Sequence, residues 1–353
     1  MLKSALYYWR SQAASAAGIA VAAAVLAGAL IMGDSVRYTL RNRALQRISR
    51  VSFAVGGTSR LYRRTLADRL AETITAGRNA PVLLLDGIAI GTSADSGSSR
   101  SVPGIQVIGI DERFRSLAES TLSPPSKGEV FLNAVLMDRL SVEEGDSISL
   151  RVPVPSALPR EAPLADTGGD AYERIRLKVA GTYGPDQLGN FSLRAEQKVP
   201  ANAFVNLSEL ATACDVPGRA NLFLFDNRVS ADDLNNALRG TIEPGDYGLT
   251  LRRLEEYSQT LVTSDRIFID SDVAEALLDL DGAEGTLTYL VEEMVGPGDK
   301  RTPYSFVNAV TPSPASPVPE DMGKAEIAVN EWARRSLSLS KGDSLRMSYL
   351  VLG

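Results

Sequence analysis

The sequence predicts an α+β protein: an N-terminal transmembrane helix and helical stalk, then a mixed α/β region with an internally repeated strand–helix–turn–strand unit. Three observations predict it. Ser11–Gly33 is a run of 23 residues without a charge, bounded by Arg10 and Asp34. The residues that follow keep apolar side chains one helical turn apart. Later, Glu129–Ser147 returns as Glu326–Ser344 at a constant shift of 197 residues.

At about 1.5 Å of rise per residue, the uncharged run is long enough to cross a hydrocarbon core of roughly 30 Å. Two readings compete for it. Ala27-Gly28-Ala29 fits a signal-peptidase site behind the charged start Lys3 and Arg10. The run is longer than a secretory core, however, and continues through Leu30-Ile31-Met32 into helix-compatible sequence, which favours a retained helix. Tyr7, Tyr8 and Trp9 suit one membrane interface, so residues 1–10 read as an interfacial segment, cytoplasmic only on the strength of the resemblance given below. Small residues recur every fourth position, at Gly18/Ala22, Ala20/Ala24 and Ala24/Gly28. Gly18, Ala22, Ala24 and Gly28 are therefore the candidate helix-packing residues, and their partners are other transmembrane helices. Arg37, Arg41, Arg43, Arg47 and Arg50 follow the run, against Lys3 and Arg10 before it; counted literally, that asymmetry places the larger part in the cytoplasm.

Beyond the anchor, composition describes globular protein. Of 353 residues, 44% are hydrophobic and 23% charged. Histidine is absent and Cys214 is the single cysteine, which removes the commonest general base and any cysteine metal cage. The net charge of -6 argues against nucleic acid. It is unevenly spread. Residues 1–78 carry 12 basic and 3 acidic side chains, and the remainder 25 and 40, so a basic base could face anionic lipid.

In chain order, Val36, Leu40, Ala44 and Ile48 predict a stalk continuing the membrane helix. Leu61, Leu66, Leu70 and Ile74 repeat the pattern after Gly56-Gly57, giving a stalk over 34–78. A core domain follows at 79–247. Its strands are expected at Pro81–Gly87, Ile105–Asp111, Glu129–Asn133, Ser147–Arg151, Ile175–Ala180, Ala203–Leu207 and Asn221–Phe225. A helix is expected at 133–140, and another is capped by Ser230. The Ser- and Gly-rich 92–101 and Pro-rich 152–169 read as loops. A second subdomain, 248–353, takes strands at Arg266–Asp270, Gly285–Val295 and Tyr304–Val310, with Ser271 capping a helix over Asp272–Leu280. Thr311–Pro319 reads as a loop.

Between the copies of the repeat, Glu129/Glu326, Asn133/Asn330, Leu140/Leu337, Ser141/Ser338, Gly145/Gly342, Asp146/Asp343 and Ser147/Ser344 are identical. Gly145 and Gly342 supply the positive φ of a tight turn, and Asp146 and Asp343 bond its backbone. These four residues are structural.

Catalytic chemistry is thin. Gly296-Pro-Gly-Asp-Lys-Arg lacks the spacing of a phosphate loop, and Asp279-Leu-Asp281-Gly282 lacks the later ligands of a calcium loop. No GxSxG stretch occurs. No catalytic residue, cofactor or metal is expected.

Ile105-Gln-Val-Ile-Gly-Ile-Asp111, Gly128-Glu-Val-Phe-Leu-Asn133 and Leu140–Ser147, with Leu177–Thr182 and Ala203–Leu207 after them, resemble in order the extracytoplasmic core domain of FtsX/MacB-like permeases of ABC transporters. Gly33–Arg37, Phe191–Arg194 and Pro217–Leu222 resemble a subgroup with an enlarged external domain. The resemblance covers Met1 to about Leu238, and the repeat extends it weakly to Met347. It implies a permease in the bacterial cytoplasmic membrane with its amino end inside and its large domain outside. Its implied partners are an ATPase subunit, further membrane helices or a second permease copy, and the bilayer. The family's later membrane helices do not occur within these 353 residues, so the chain is expected to be a fragment or one of two polypeptides. The alternative is a singly anchored extracytoplasmic module that binds a ligand or a protein without an ATPase. A secreted enzyme released by signal cleavage is a third reading.

Overall fold

A computed structural model describes residues 9–57, 60–74, 77–92, 99–154, 172–194, 196, 198–265, 269–311, 318–319 and 321–349. These fall into two compact units, one ending at Gly248 and one beginning at Leu249.

The first unit opens with α1 (Trp9–Ile48), a single 40-residue helix that joins the membrane run to the first part of the stalk. The stalk reading over 34–78 is corrected beyond that point. The helix ends at Ser49, which adopts φ 49°, and Val51, Phe53 and Val55 alternate with period two to make β1 (Val51–Gly56). After β2 (Tyr62–Arg63) comes α2 (Thr65–Thr73). It buries Leu66, Ala67 and Leu70 in the body instead of extending the stalk.

The remaining elements of this unit are β3 (Asn79–Thr92), β4 (Ser99–Ile110), β5 (Glu129–Asn133), α3 (Ala134–Leu140), β6 (Ser147–Pro153) and β7 (Tyr172–Tyr183). They continue with β8 (Asn202–Asn206), α4 (Leu207–Ala213), β9 (Arg219–Ala220), β10 (Leu222–Asp226) and α5 (Ala231–Thr241). Hydrogen bonding runs β3–β4–β8–β5–β7–β6 and returns from β6 to β3, so six strands close into a barrel; β10 and then β1 extend from the first residues of β3. Closure removes free sheet edges. Side chains alternate accordingly: Leu83, Leu85, Val107, Val130, Leu132, Ile148, Leu150, Leu177, Val179 and Val205 share one buried cluster with Leu136 and Leu140 of α3 and Leu207 and Leu210 of α4.

The barrel has an internal near-twofold. A shift of 73 residues carries Phe131 to Phe204, Asn133 to Asn206 and Ile110 to Tyr183. β4 runs parallel to β8 with Ile110 opposite Asn206, and β7 runs parallel to β5 with Tyr183 opposite Asn133. β5 and β8 are antiparallel, with Phe131 opposite Phe204. Asn133 and Asn206 each accept a backbone N–H to cap the helix that follows, at 3.0 Å from Leu136 and 3.1 Å from Ser208. Tyr183 stacks on Phe131 at 4.5 Å, its hydroxyl donates to the Ser123 carbonyl, and burial pushes its pKa up. Only Phe131/Phe204 and Asn133/Asn206 are identical across the core strands of the two halves, too little for the sequence to display the relation.

The second unit contains the hairpin β11 (Leu249–Leu254) and β12 (Gln259–Ser264), then α6 (Ser271–Leu278), β13 (Thr286–Val295), β14 (Arg301–Val310), α7 (Glu331–Ser336) and β15 (Arg346–Tyr349). β13 lies between β14 and β15. The expected strand at 266–270 is not found at 269–270, and residues 266–268 lie outside the described residues. Ser271, expected to be the cap of α6, is instead its first residue, with Asp270 at the cap position. Most of the 92–101, 152–169 and 311–319 loops also lie outside the described residues.

The two Gly–Asp corners have positive φ at glycine, 99° at Gly145 and 94° at Gly342. The strand expected before the second corner differs: residues 325–329, unlike β5, pair with no strand. A strand needs ladder partners, and among the described residues this unit has no equivalent of β7 or β8. Its core is small, with Val291, Met294, Leu337 and Leu339 buried and Val307, Val329, Leu345 and Met347 half-buried against them.

Candidate membrane-coupling site

Among the described residues, α1 is the one helix long and apolar enough to cross a membrane. Its 40 residues span about 60 Å, more than the hydrocarbon alone requires. Ala13–Arg41 is exposed throughout, and a Cβ added at Gly18 or Gly28 would meet nothing within 4 Å. The four candidate packing residues do not share a face. At about 100° per residue, Gly18 and Ala22 lie about 40° apart, as do Ala24 and Gly28, but the second pair sits about 120° round the helix from the first. They form two stripes open to two neighbours. The corner residues Gly145/Asp146 and Gly342/Asp343 lie in different units and serve their own turns. Asp146 Oδ2 accepts from Glu143 N at 2.9 Å, and Asp343 Oδ2 from Ser340 N at 2.8 Å.

The part of the candidate site that the sequence reading missed is the foot of α1. Ser49 N–H closes the helix on the Leu45 carbonyl at 3.0 Å. Ile48 packs against the cluster containing Val51, Phe114 and Phe204. Arg47 is 9% exposed and donates from Nη1 to the Glu196 carbonyl at 2.5 Å. Val51 then enters the sheet opposite Asp226. Asp226 is itself fixed, its Oδ1 accepting from Arg78 N at 3.1 Å and Arg228 N at 3.2 Å. Two residues, Ser49 and Arg50, separate helix from strand, which leaves no flexible linker between them. The available signal was the alternation of Val51, Phe53 and Val55, which a helical reading of the stalk passed over.

Elsewhere, a shallow groove beside α4 is lined by Lys127, Arg174, Arg176, Ser208 and Glu209. Arg174 also stands opposite Arg151 across β6 and β7, a like-charge pair that sheets disfavour. Cys214 is buried with its pKa raised to about 11, first by desolvation and then by Glu173, so at neutral pH it is a protonated, inert thiol. Among the described residues, no three His, Cys, Asp or Glu side chains are placed to hold a metal.

No protein-family model matches the chain, and no curated protein sequence matches it. Among solved structures it is similar to the extracellular domain of the noncanonic ABC-type transporter YknZ from Gram-positive bacteria. That match has 10% identity, covers 58% of this chain and 90% of that one, and has a TM-score of 0.33. It is also similar to the periplasmic region of MacB from Actinobacillus actinomycetemcomitans, at 9% identity over 63% of this chain and 85% of that one, with a TM-score of 0.33. Neither superposition is close enough to assign a family.

Proposed function

We propose that this chain is the permease component, or the N-terminal part of the permease, of an ABC-type transporter. It is non-catalytic and couples ATP hydrolysis by a separate subunit to movement of an extracytoplasmic body. The observation that carries this reading is the foot of α1. A membrane-length helix runs unbroken out of its apolar segment, and Arg47, Ile48 and Val51 join it to the barrel with two residues between helix and strand. A helix that merely tethered a binding domain would need no such joint. The ordered resemblance of residues 105–207 to FtsX/MacB-like permeases supports the same reading. The two small-residue stripes fit packing against further spans or a second permease copy. On this reading the protein sits in the bacterial cytoplasmic membrane with residues beyond Asp34 outside.

The test has two arms. In a Cys214→Ala background, Tyr304→Cys puts a thiol on a side chain that is 76% exposed; a membrane-impermeant maleimide added to whole cells should label it. The chain purified from membranes in mild detergent should carry an ATP-hydrolysing subunit. Labelling only after lysis, or a chain that elutes without any ATPase, overturns the proposal.

A further inference from the structure

The second unit contains a half-barrel. At the 197-residue shift, the local hydrogen bonds within the corner recur. Ser126 N donates to Glu129 Oε2 (3.2 Å), as Gly323 N does to Glu326 Oε2 (2.8 Å). Leu136 N donates to Asn133 Oδ1 (3.0 Å), as Ala333 N does to Asn330 Oδ1 (2.8 Å). Val142 N donates to the Met137 carbonyl (3.3 Å), as Leu339 N does to that of Arg334 (2.9 Å). Ser141 and Ser338 take φ 51° and 52°. The strand after each corner, β6 or β15, then pairs antiparallel with the first strand of a hairpin, β3–β4 or β13–β14. A glycine in or just after that first strand gives room to the corner's side chains. A Cβ on Gly91 would lie 2.8 Å from Val142 Cγ1, and one on Gly296 would lie 3.1 Å from Leu337 Cβ.

In the first unit this half is completed by β7, β8 and α4. β7 lies along β6, with Ile148 opposite Leu177 and Leu150 opposite Ile175. Gly145 N donates to the Val179 carbonyl and Val179 N to the Asp146 carbonyl, both at 2.8 Å. In the second unit, Gly342 N–H and the Asp343 carbonyl make no such bond among the described residues. Among the described residues β15 pairs only with β13, and 325–329 pair with no strand. The side chains that β7 and β8 cover are left open accordingly. Val130, Leu132, Ile148 and Leu150 are fully buried, whereas Ile327 is 39% exposed and Val329, Leu345 and Met347 are half-buried.

We propose that β15 and residues 325–329 receive the missing half from polypeptide outside residues 1–353. Its first strand runs antiparallel to β15 in the register β7 takes on β6, with apolar residues facing Leu345 and Met347. A second strand follows, parallel to β14 and seated between β14 and 325–329, and a short capped helix then closes the barrel. A second copy of this unit does not fit. The near-twofold of the barrel would place the copy's β13 beside β13, and β15 already occupies that position. This inference does not depend on the transporter reading.

The probe is a synthetic peptide of the β7 sequence, YERIRLKVAGTY, with a scrambled peptide as control, added to the full chain in lipid nanodiscs. Hydrogen exchange should slow at least tenfold at Gly342 and over Arg346–Tyr349 with the β7 peptide and not with the scrambled one. No protection at millimolar peptide, or equal protection by the scrambled peptide, overturns the proposal. So does a sedimentation dimer in which 342–349 are already protected without peptide, since that would make the occupant a second copy.

Discussion

At the scale of single residues, the corners were legible because the glycine and the aspartate that shape each turn act within four residues of chain. Gly145 and Gly342 have positive φ, and nothing lies within 4 Å of a Cβ added at either, so Gly145→Ala bears only the backbone penalty. That penalty is about 1–2 kcal/mol, read as a lower urea midpoint at unchanged slope. Asp246 shows the opposite case. Its side chain is fully buried, accepts Glu243 N–H at 2.9 Å, and is paired with Arg69, 177 positions away in sequence. No local pattern announces such a pair. Arg69→Ala would leave a buried carboxylate uncompensated and should destabilise the first unit by about 3–5 kcal/mol, with Arg69→Ala/Asp246→Ala recovering much of the loss. If the losses of Arg69→Ala and Asp246→Ala, each measured alone, simply add in the double variant, the pair contributes no coupling. For Cys214 the sign is that of an acid whose folded pKa is raised. The thiol's contribution to stability is whole below its unfolded value near 9 and declines as pH rises toward about 11. Denaturation midpoints should fall across that window in the wild type more steeply than in Cys214→Ala.

At the scale of elements, long periodic or alternating runs were legible and short strands with distant partners were not. α1 has forty residues of signal, and β5, α3 and β6 carry clear alternation, an Asn cap and a glycine turn. β1 and the β11–β12 hairpin did not stand out. Leu249–Leu254 is exposed or half-buried along its whole length, so it has no apolar face to reveal it. The junction of α1 and β1 gives the prediction proper to this scale. If helix and sheet move as one body, spin labels at the exposed positions Tyr38 and Ser52, placed as Tyr38→Cys and Ser52→Cys in a Cys214→Ala background, should show one narrow distance distribution. Inserting Gly-Gly after Arg50 should broaden it, while the first unit keeps its thermal midpoint. An equally broad distribution without the insertion would mean that the helix swings on the body and transmits nothing.

At the scale of the molecule, barrel closure depends on pairings that no window of sequence contains. β3 meets β6 about sixty residues on and β4 meets β8 nearly a hundred on. The strands could be recognised one by one, but their cyclic order could not, because alternation says which face is buried and not which neighbour buries it. Closure also divides the stability of the chain unevenly. The first unit has three clusters of buried side chains, and its barrel has no unpaired edge. The second holds four buried side chains in its one cluster and leaves Phe306 73% and Trp332 62% exposed. Since local opening free energy follows buried apolar contact, amides of β13 and β14 should exchange at least a hundredfold faster than those of β4 and β5. A factor of one hundred corresponds to about 2.7 kcal/mol, a difference two units unfolding together could not sustain. Uniform protection in both, lost at one denaturant concentration, would show instead that the second unit draws its stability from the first.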